Sequence, residues 1–265
     1  MTSRPPDLSI QLAAALKLLK LPGFLRHYND LAKEAEKGGW SFPQYLWALT
    51  ELEARERDDR RVERHLRQSG LPAEKTLATL KLERLPTKVR RILPSLCEGG
   101  FVDRGDNVLA FGLPGRGKSH LSCAIGHELV RKGYSVWFTP TSFLVQRLLA
   151  AKRDLVLERE LRRLDKIDVV IVDDLGYVQQ DRTEMEVLFT FLAERYERKS
   201  VMITSNLVFS QWDRIFKDSM TTAAAIDRLV HHCTILELTG KSVRADEAGL
   251  DVPPAPPEPS ERPPA

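Results

Sequence analysis

Residues 112–119 read Gly-Leu-Pro-Gly-Arg-Gly-Lys-Ser, a full G-x-x-x-x-G-K-[ST] pattern. Gly112, Gly115 and Gly117 let a backbone wrap closely around a polyphosphate with its N–H groups pointing inward. Leu113, Pro114 and Arg116 complete the loop. Lys118 supplies a point charge for β- and γ-phosphates, and the Ser119 hydroxyl is a ligand type suited to Mg²⁺. A helix opening at this point would add its positive dipole end. Further on, Val169, Val170, Ile171 and Val172 lead into Asp173 and Asp174, as in a Walker B motif. Asp173 is placed to hold Mg²⁺, directly or through water, and Asp174 to orient or deprotonate an attacking water. The second acid is one methylene shorter than Glu, so slow hydrolysis is expected. Residues 201–206 repeat the arrangement, an apolar run ending in Ser205 and Asn206. In this company Asn206 reads as a sensor contacting the γ-phosphate or the water. Arg228, following Asp227, is a candidate arginine finger that reaches the nucleotide of a neighbouring subunit.

These groups need strands to end beside one another and a helix to start at Lys118, and the pattern supplies both. Residues 107–111 (NVLAF), 135–139, 168–172 (DVVIV), 201–204 (VMIT) and 234–238 (TILEL) read as strands. Helical stretches lie between them at 118–132, around Leu144, Leu148 and Leu149, at 183–198 and at 222–230. A continuous apolar run such as 168–172 suits a parallel sheet buried on both faces. The alternation predicts a three-layer α/β domain.

Ahead of it, residues 8–37 read as helices, with Leu8, Leu12, Leu16 and Leu19 on one face and Pro22-Gly23 as an interruption. Ser41 reads as an N-cap, with Pro43 in the first turn and Gln44 three residues on, opening a long helix to about residue 68. Its second half is dense in alternating charge, which a solvated, self-paired face explains. The arginine excess at Arg60, Arg61, Arg64 and Arg67 leaves DNA contact open. The expected organisation is a small all-α N-terminal domain over 1–70, serving DNA or partner binding, a connector over 71–100 and an ATPase domain over 101–245. A Pro-rich tail follows over 246–265. Seven of the sixteen prolines fall in residues 251–265, so the tail is expected to be disordered.

The chain has 265 residues, 42% hydrophobic and 29% charged, enough to bury a core without staples. A net charge of +3 permits a nucleic-acid partner without requiring one. Cys97, Cys123 and Cys233 are widely spaced and odd in number, which argues against a disulfide framework or a zinc site. They read as buried small hydrophobes in a reducing compartment. The first ten residues carry charge and two prolines where a signal peptide needs an apolar run, and no window approaches 18 uninterrupted apolar residues. A cytoplasmic location without membrane insertion is expected.

The four motifs in this order, behind a helical segment, resemble the AAA+ ATPases. More closely, residues 8–245 resemble the IstB-like transposition helper ATPases, encoded beside an IstA-type transposase. The resemblance rests on Arg104-Gly-Asp-Asn-Val-Leu, Gly126-His-Glu, Arg131-Lys-Gly-Tyr-Ser-Val and Asp173-Asp-Leu-Gly-Tyr177. It rests also on Thr204-Ser-Asn-Leu207, Asp227-Arg-Leu-Val-His-His232, Leu21-Pro-Gly-Phe and Ser41-Phe-Pro-Gln-Tyr-Leu. Two departures stand out: Arg116 where the family commonly has a small residue, and Val243 in place of an aromatic ahead of Arg244. The resemblance implies a nucleotide or subunit contact for Arg244, and Val243 departs from the pattern that accompanies it. The resemblance implies a slow, oligomer-dependent ATPase using ATP and Mg²⁺. It also implies self-association on double-stranded DNA with little sequence preference, and recruitment and stimulation of the transposase. Arg147, Lys152 and Arg153, in the helical insert between the second and third core strands, are the implied DNA contacts, with a solvated basic face as the alternative for each. The DnaC-type helicase loaders share the ATPase core and provide the alternative function. A small-molecule kinase fits poorly, because it leaves Asn206, Arg228 and the N-terminal helices unexplained.

Overall fold

The computed structural model describes residues 8–176, 182–207, 212, 229 and 231–239. The chain divides into two compact units, Met1–Arg64 and His65–Ala265.

The first unit is helical. Helix α1 (Leu8–Leu18) is followed by α2 (Pro22–Gly38) and α3 (Phe42–Ser69), and the division between units falls inside α3. Pro22 does not merely interrupt the chain: it takes the first position of α2, where its missing N–H costs nothing. Leu21 cannot cap α2 with a side chain. Glu53 of α3 does so instead, its Oε2 accepting from the N–H groups of Gly23 (2.6 Å) and Phe24 (3.3 Å). Gly39 ends α2 in the left-handed conformation. The capping box at Ser41 forms as read: Ser41 N–H donates to Gln44 Oε1 (2.7 Å) and Gln44 N–H to Ser41 Oγ (3.4 Å).

The second unit is an α/β domain. It begins with more regular structure than the connector expected at 71–100. Helix α4 (Thr87–Glu98) buries Val89, Leu93 and Leu96 at helical spacing, which offsets the backbone bond lost at the internal Pro94. The short α5 (Gly100–Asp103) leads into β1 (Asn107–Phe111). Then come α6 (Lys118–Arg131), β2 (Val136–Pro140), α7 (Thr141–Arg153), α8 (Leu157–Leu164) and β3 (Val169–Leu175). Helix α9 (Arg182–Arg195), β4 (Ser200–Ser205) and β5 (Cys233–Glu237) follow, and a single 3-10 turn (Leu82–Arg84) precedes α4. The five strands are all parallel, in the order β2-β3-β4-β1-β5.

Burial on both faces explains the unbroken apolar strands. Leu109, Phe111, Val170, Val172, Val201 and Ile203 join one core with residues of α7 and α9. On the opposite face α6 lies so close that a Cβ on Gly126 would meet Ile171 at 2.8 Å. Three layers result, as the alternation predicts. All three cysteines are free thiols. Burial pushes Cys123 up to about 12, which fits the reading of a small core residue. No helix among the described residues is long and apolar enough to cross a membrane.

Candidate nucleotide site

Parallel strands direct all their C-terminal ends to one edge of the sheet, where open α/β folds bind ligands. Here β4 lies between β1 and β3, with Phe111 and Leu175 both in register with Ser205. That single fact brings the loop after β1, the acids of β3 and Asn206 after β4 to one place.

The loop is stitched into the sheet on both sides. Gly112 N–H donates to Ser205 O (3.3 Å), and Leu238 N–H donates to Phe111 O (2.7 Å). Gly112 sits at φ +153, and a Cβ there would lie 2.5 Å from Leu238 O, so the backbone packing itself requires glycine. Gly117 at φ +83 caps α6 with open space around it. Leu113 and Pro114 are exposed at the loop tip. Arg116, the unusual loop residue, donates to Leu238 O at 3.4 Å, an internal tether for its long side chain. Lys118, only 5% exposed, donates from Nζ to the carbonyls of Gly112 (2.7 Å) and Leu113 (3.2 Å). Ser119 follows in the first turn of α6, whose N-cap residue, Gly117, has no side chain to cap the backbone N–H groups. That end therefore offers its dipole and donors to an anion.

Asp173 is 8% exposed, and its Oδ1 accepts from Thr204 Oγ1 at 2.5 Å. The same Thr204 oxygen accepts from Asp174 N–H at 2.9 Å, so one hydroxyl fixes both acids. Thr141 Oγ1 donates to Asp173 O at 2.8 Å from the start of α7. Asp174 itself is in the left-handed region, at φ +58, where the β3–β4 register shifts between Val172 and Leu175. This bulge turns the Asp174 side chain out of the buried strand to solvent. Non-glycine residues hold such a conformation where the surroundings impose it, and such positions cluster at functional sites. Asn206 Oδ1 is buried without a hydrogen-bond partner among the described residues. Such an atom calls for a group from outside the described protein atoms.

Thr204 and Thr141 were not legible as functional. A threonine on a buried strand beside an acid-bearing neighbour was the available signal. The three basic residues of the helical insert all have partners: Arg147 pairs with Glu160 and lies 4.9 Å over the Trp137 ring, Lys152 pairs with Glu186 (2.8 Å), and Arg153 with Asp154 (3.2 Å). Arg228, Arg244 and the tail beyond residue 239 lie outside the described residues.

Residues 14–249 match the family model described as IstB-like ATP binding protein. The chain belongs to this family. An insertion sequence ATP-binding protein of Sinorhizobium fredii (y4iQ/y4nD/y4sD) is 43% identical to this IstB-like chain, covering 90% of it and 80% of the relative. The IS21 ATP-binding protein of Pseudomonas aeruginosa is 35% identical, covering 89% of each. Among solved structures, DnaI aligns with a TM-score of 0.53 at 22% identity, over 64% of this chain and 96% of that one. DnaA bound to AMPPCP and single-stranded DNA aligns at 0.54 and 16% identity, over 70% and 58%. These likenesses establish the AAA+ type of fold for the IstB-like chain.

The donor set also suits a nucleotide with its metal. The Ser119 hydroxyl and the Asp173 carboxylate are hard oxygen ligands of the kind Mg²⁺ takes. Lys118, the α6 N-terminus behind Gly117 and the Asn206 Oδ1, which has no partner among the described residues, converge on the same sheet edge.

Proposed function

We propose that this protein binds and slowly hydrolyses ATP, and that it uses ATP to assemble on duplex DNA and to recruit and stimulate a partner transposase. The nucleotide part rests on one observation above the others: Thr204 joins Asp173 and Asp174 through a single hydroxyl beside a buried, unpartnered Asn206 Oδ1. In this reading Lys118 and the α6 N-terminus hold the β- and γ-phosphates, and Ser119 and Asp173 hold Mg²⁺, which neutralises charge on the phosphates when bound. Asp174 orients a water and accepts its proton as the oxygen bonds to the γ-phosphorus. The bond to the β–γ bridging oxygen breaks, giving ADP and phosphate. Asn206 positions that water, and Arg228 of a neighbouring copy stabilises the transferring group.

The DNA and transposase part rests on family membership and on relatives whose names place them in insertion sequences. Binding with little sequence preference needs phosphate contacts rather than base readout. Of the three insert residues, Arg153 is the best placed to exchange its partner for a phosphate, being 79% exposed beside Asp154. Lys152 comes next. Arg147, held between Glu160 and Trp137, orders α7 against α8 as much as it offers charge.

Electron microscopy of the protein with ATP and Mg²⁺, with and without duplex DNA, tests the proposal. Ordered assemblies that need both ligands are expected. Identical particles in all conditions, together with capture of a replicative helicase, would favour the loader function instead.

A further inference from the structure

The helical unit holds a cluster of charge that the nucleotide site does not use. Arg57, Arg60, Arg61 and Arg64 recur at three- and four-residue spacing, so they form one stripe along α3. Opposite the stripe the chain turns between α1 and α2, where Lys20 sits at φ +56 and its carbonyl accepts from Arg57 Nη2 at 2.8 Å. Together Lys20, Pro22 and the four arginines line a cavity of about 320 Å³.

Every titratable side chain lining this cavity is cationic. The partly answering carboxylates come from α3 itself. Glu53 pairs with Arg57 (2.6 Å) and Arg60 (3.7 Å) while also capping α2, and Asp58 pairs with Arg61 (3.3 Å). Burial disfavours a charged Glu53, but the Arg57 bond and the Gly23 and Phe24 N–H groups outweigh it and hold its carboxyl below the usual range. It is thus an anion already shared among several donors. Lys20 and Arg64 make no ion pair with any described residue, and both are exposed. Two carboxylates against five cations leave the cavity positive.

From Arg57 to Arg64 the helix rises by roughly 10 Å, which spaces the guanidinium groups as a row rather than a single cup. The lining offers no aromatic face and no apolar wall beyond Pro22 with which to hold a nucleobase. A row of guanidinium donors suits a backbone carrying successive phosphates. We infer that this cleft between the α1–α2 turn and the arginine stripe of α3 is a docking site for the phosphate backbone of duplex DNA. The assignment rests on the DNA-binding part of the proposed function and adds a second, sequence-independent contact in the helical unit.

The test uses Lys20→Asn with Arg64→Gln in the full-length protein, since neither side chain is ion-paired and Asn tolerates the left-handed backbone at position 20. Duplex binding is followed by fluorescence anisotropy in ATP and Mg²⁺ across a salt series, and a fluorescent ATP analogue reports nucleotide binding separately. Expected are a 10- to 100-fold weaker duplex affinity and a log–log salt slope shallower by about 1 per cation removed. Nucleotide affinity should be unchanged, and the charge-keeping pair Lys20→Arg and Arg64→Lys should bind DNA normally. If the double variant loses its thermal unfolding transition, each single variant carries the same comparison. Wild-type duplex binding with the same slope in the variants overturns the site. If the wild type binds the analogue but no duplex, the DNA reading itself fails, and this site with it. Inorganic tripolyphosphate serves as a third probe: tight binding lost in the variants, with duplex affinity unmoved, would reassign the cleft to a small polyphosphate.

Discussion

Thr204 carries more of the site than its type suggests. Its hydroxyl donates to Asp173 and accepts from the Asp174 backbone, so the two acids are held at a fixed offset. Groups that orient a metal ligand, the role proposed for Asp173, commonly contribute 10- to 100-fold to affinity or activity. Thr204→Val keeps the volume and removes both bonds. Steady-state ATP turnover should fall by about that range, 10- to 100-fold, with analogue binding changed far less. Unchanged turnover would mean that the acids are placed by the strand alone. Asn206 is the complementary case, a buried acceptor with no partner among the described residues. Asn206→Ala should cost about 100- to 1,000-fold in turnover, in line with the loss of one preorganised polar contact, while nucleotide binding persists.

At the scale of elements, Arg195 at the end of α9 ties the sheet together from below. It is 2% exposed, and its guanidinium donates to four carbonyls: Leu164 (3.0 Å), Ile167 (2.9 Å), Asp168 (3.1 Å) and Ser200 (2.9 Å). These belong to the end of α8, the approach to β3 and the first residue of β4. Burial lowers its pKa to about 10, still far above neutrality, so the group remains charged in the core. Arg195→Met removes the donors and leaves two buried and two half-buried acceptors without them. A loss of about 2–4 kcal/mol in urea unfolding is expected, since an acceptor left unsatisfied in the interior costs about 1–3 kcal/mol and only two of the four are fully buried. A shift below about 1 kcal/mol would show that water replaces the guanidinium without penalty.

At the scale of the whole molecule, the proposed arginine finger makes the site one that two copies share. Lys118, Asp173, Asp174 and Asn206 come from one chain and gather at one sheet edge, whereas the finger role proposed for Arg228 requires a second copy. Arg228→Ala should bind nucleotide normally and lose turnover by about 1,000-fold or more. Lys118→Ala should lose nucleotide binding. Mixing the two inactive variants would regain part of the activity, because some assembled sites then combine an intact Lys118 with a neighbour's intact Arg228. Robust turnover by Arg228→Ala alone would remove the trans contact from the mechanism.

How much of this was legible follows from which forces are local. The loop at residues 112–119, the acids of β3 and the capping box at Ser41 were readable because glycine freedom, strand burial and helix capping act over a few residues. The alternation of strands and helices likewise fixed the three-layer class. Helix α4 was not readable, since Pro94 speaks against a helix and the burial of Val89, Leu93 and Leu96 that outweighs it is tertiary. The partners of Thr204, Glu53 and Arg195 were hidden for the same reason: each bonds to groups about thirty residues away or on another element. The sequence alone determined that a phosphate loop, two acids and an amide would exist. Only the strand order, with β4 seated between β1 and β3, decided that they meet, because side-chain reach is short and adjacency in a sheet is not encoded in any one segment.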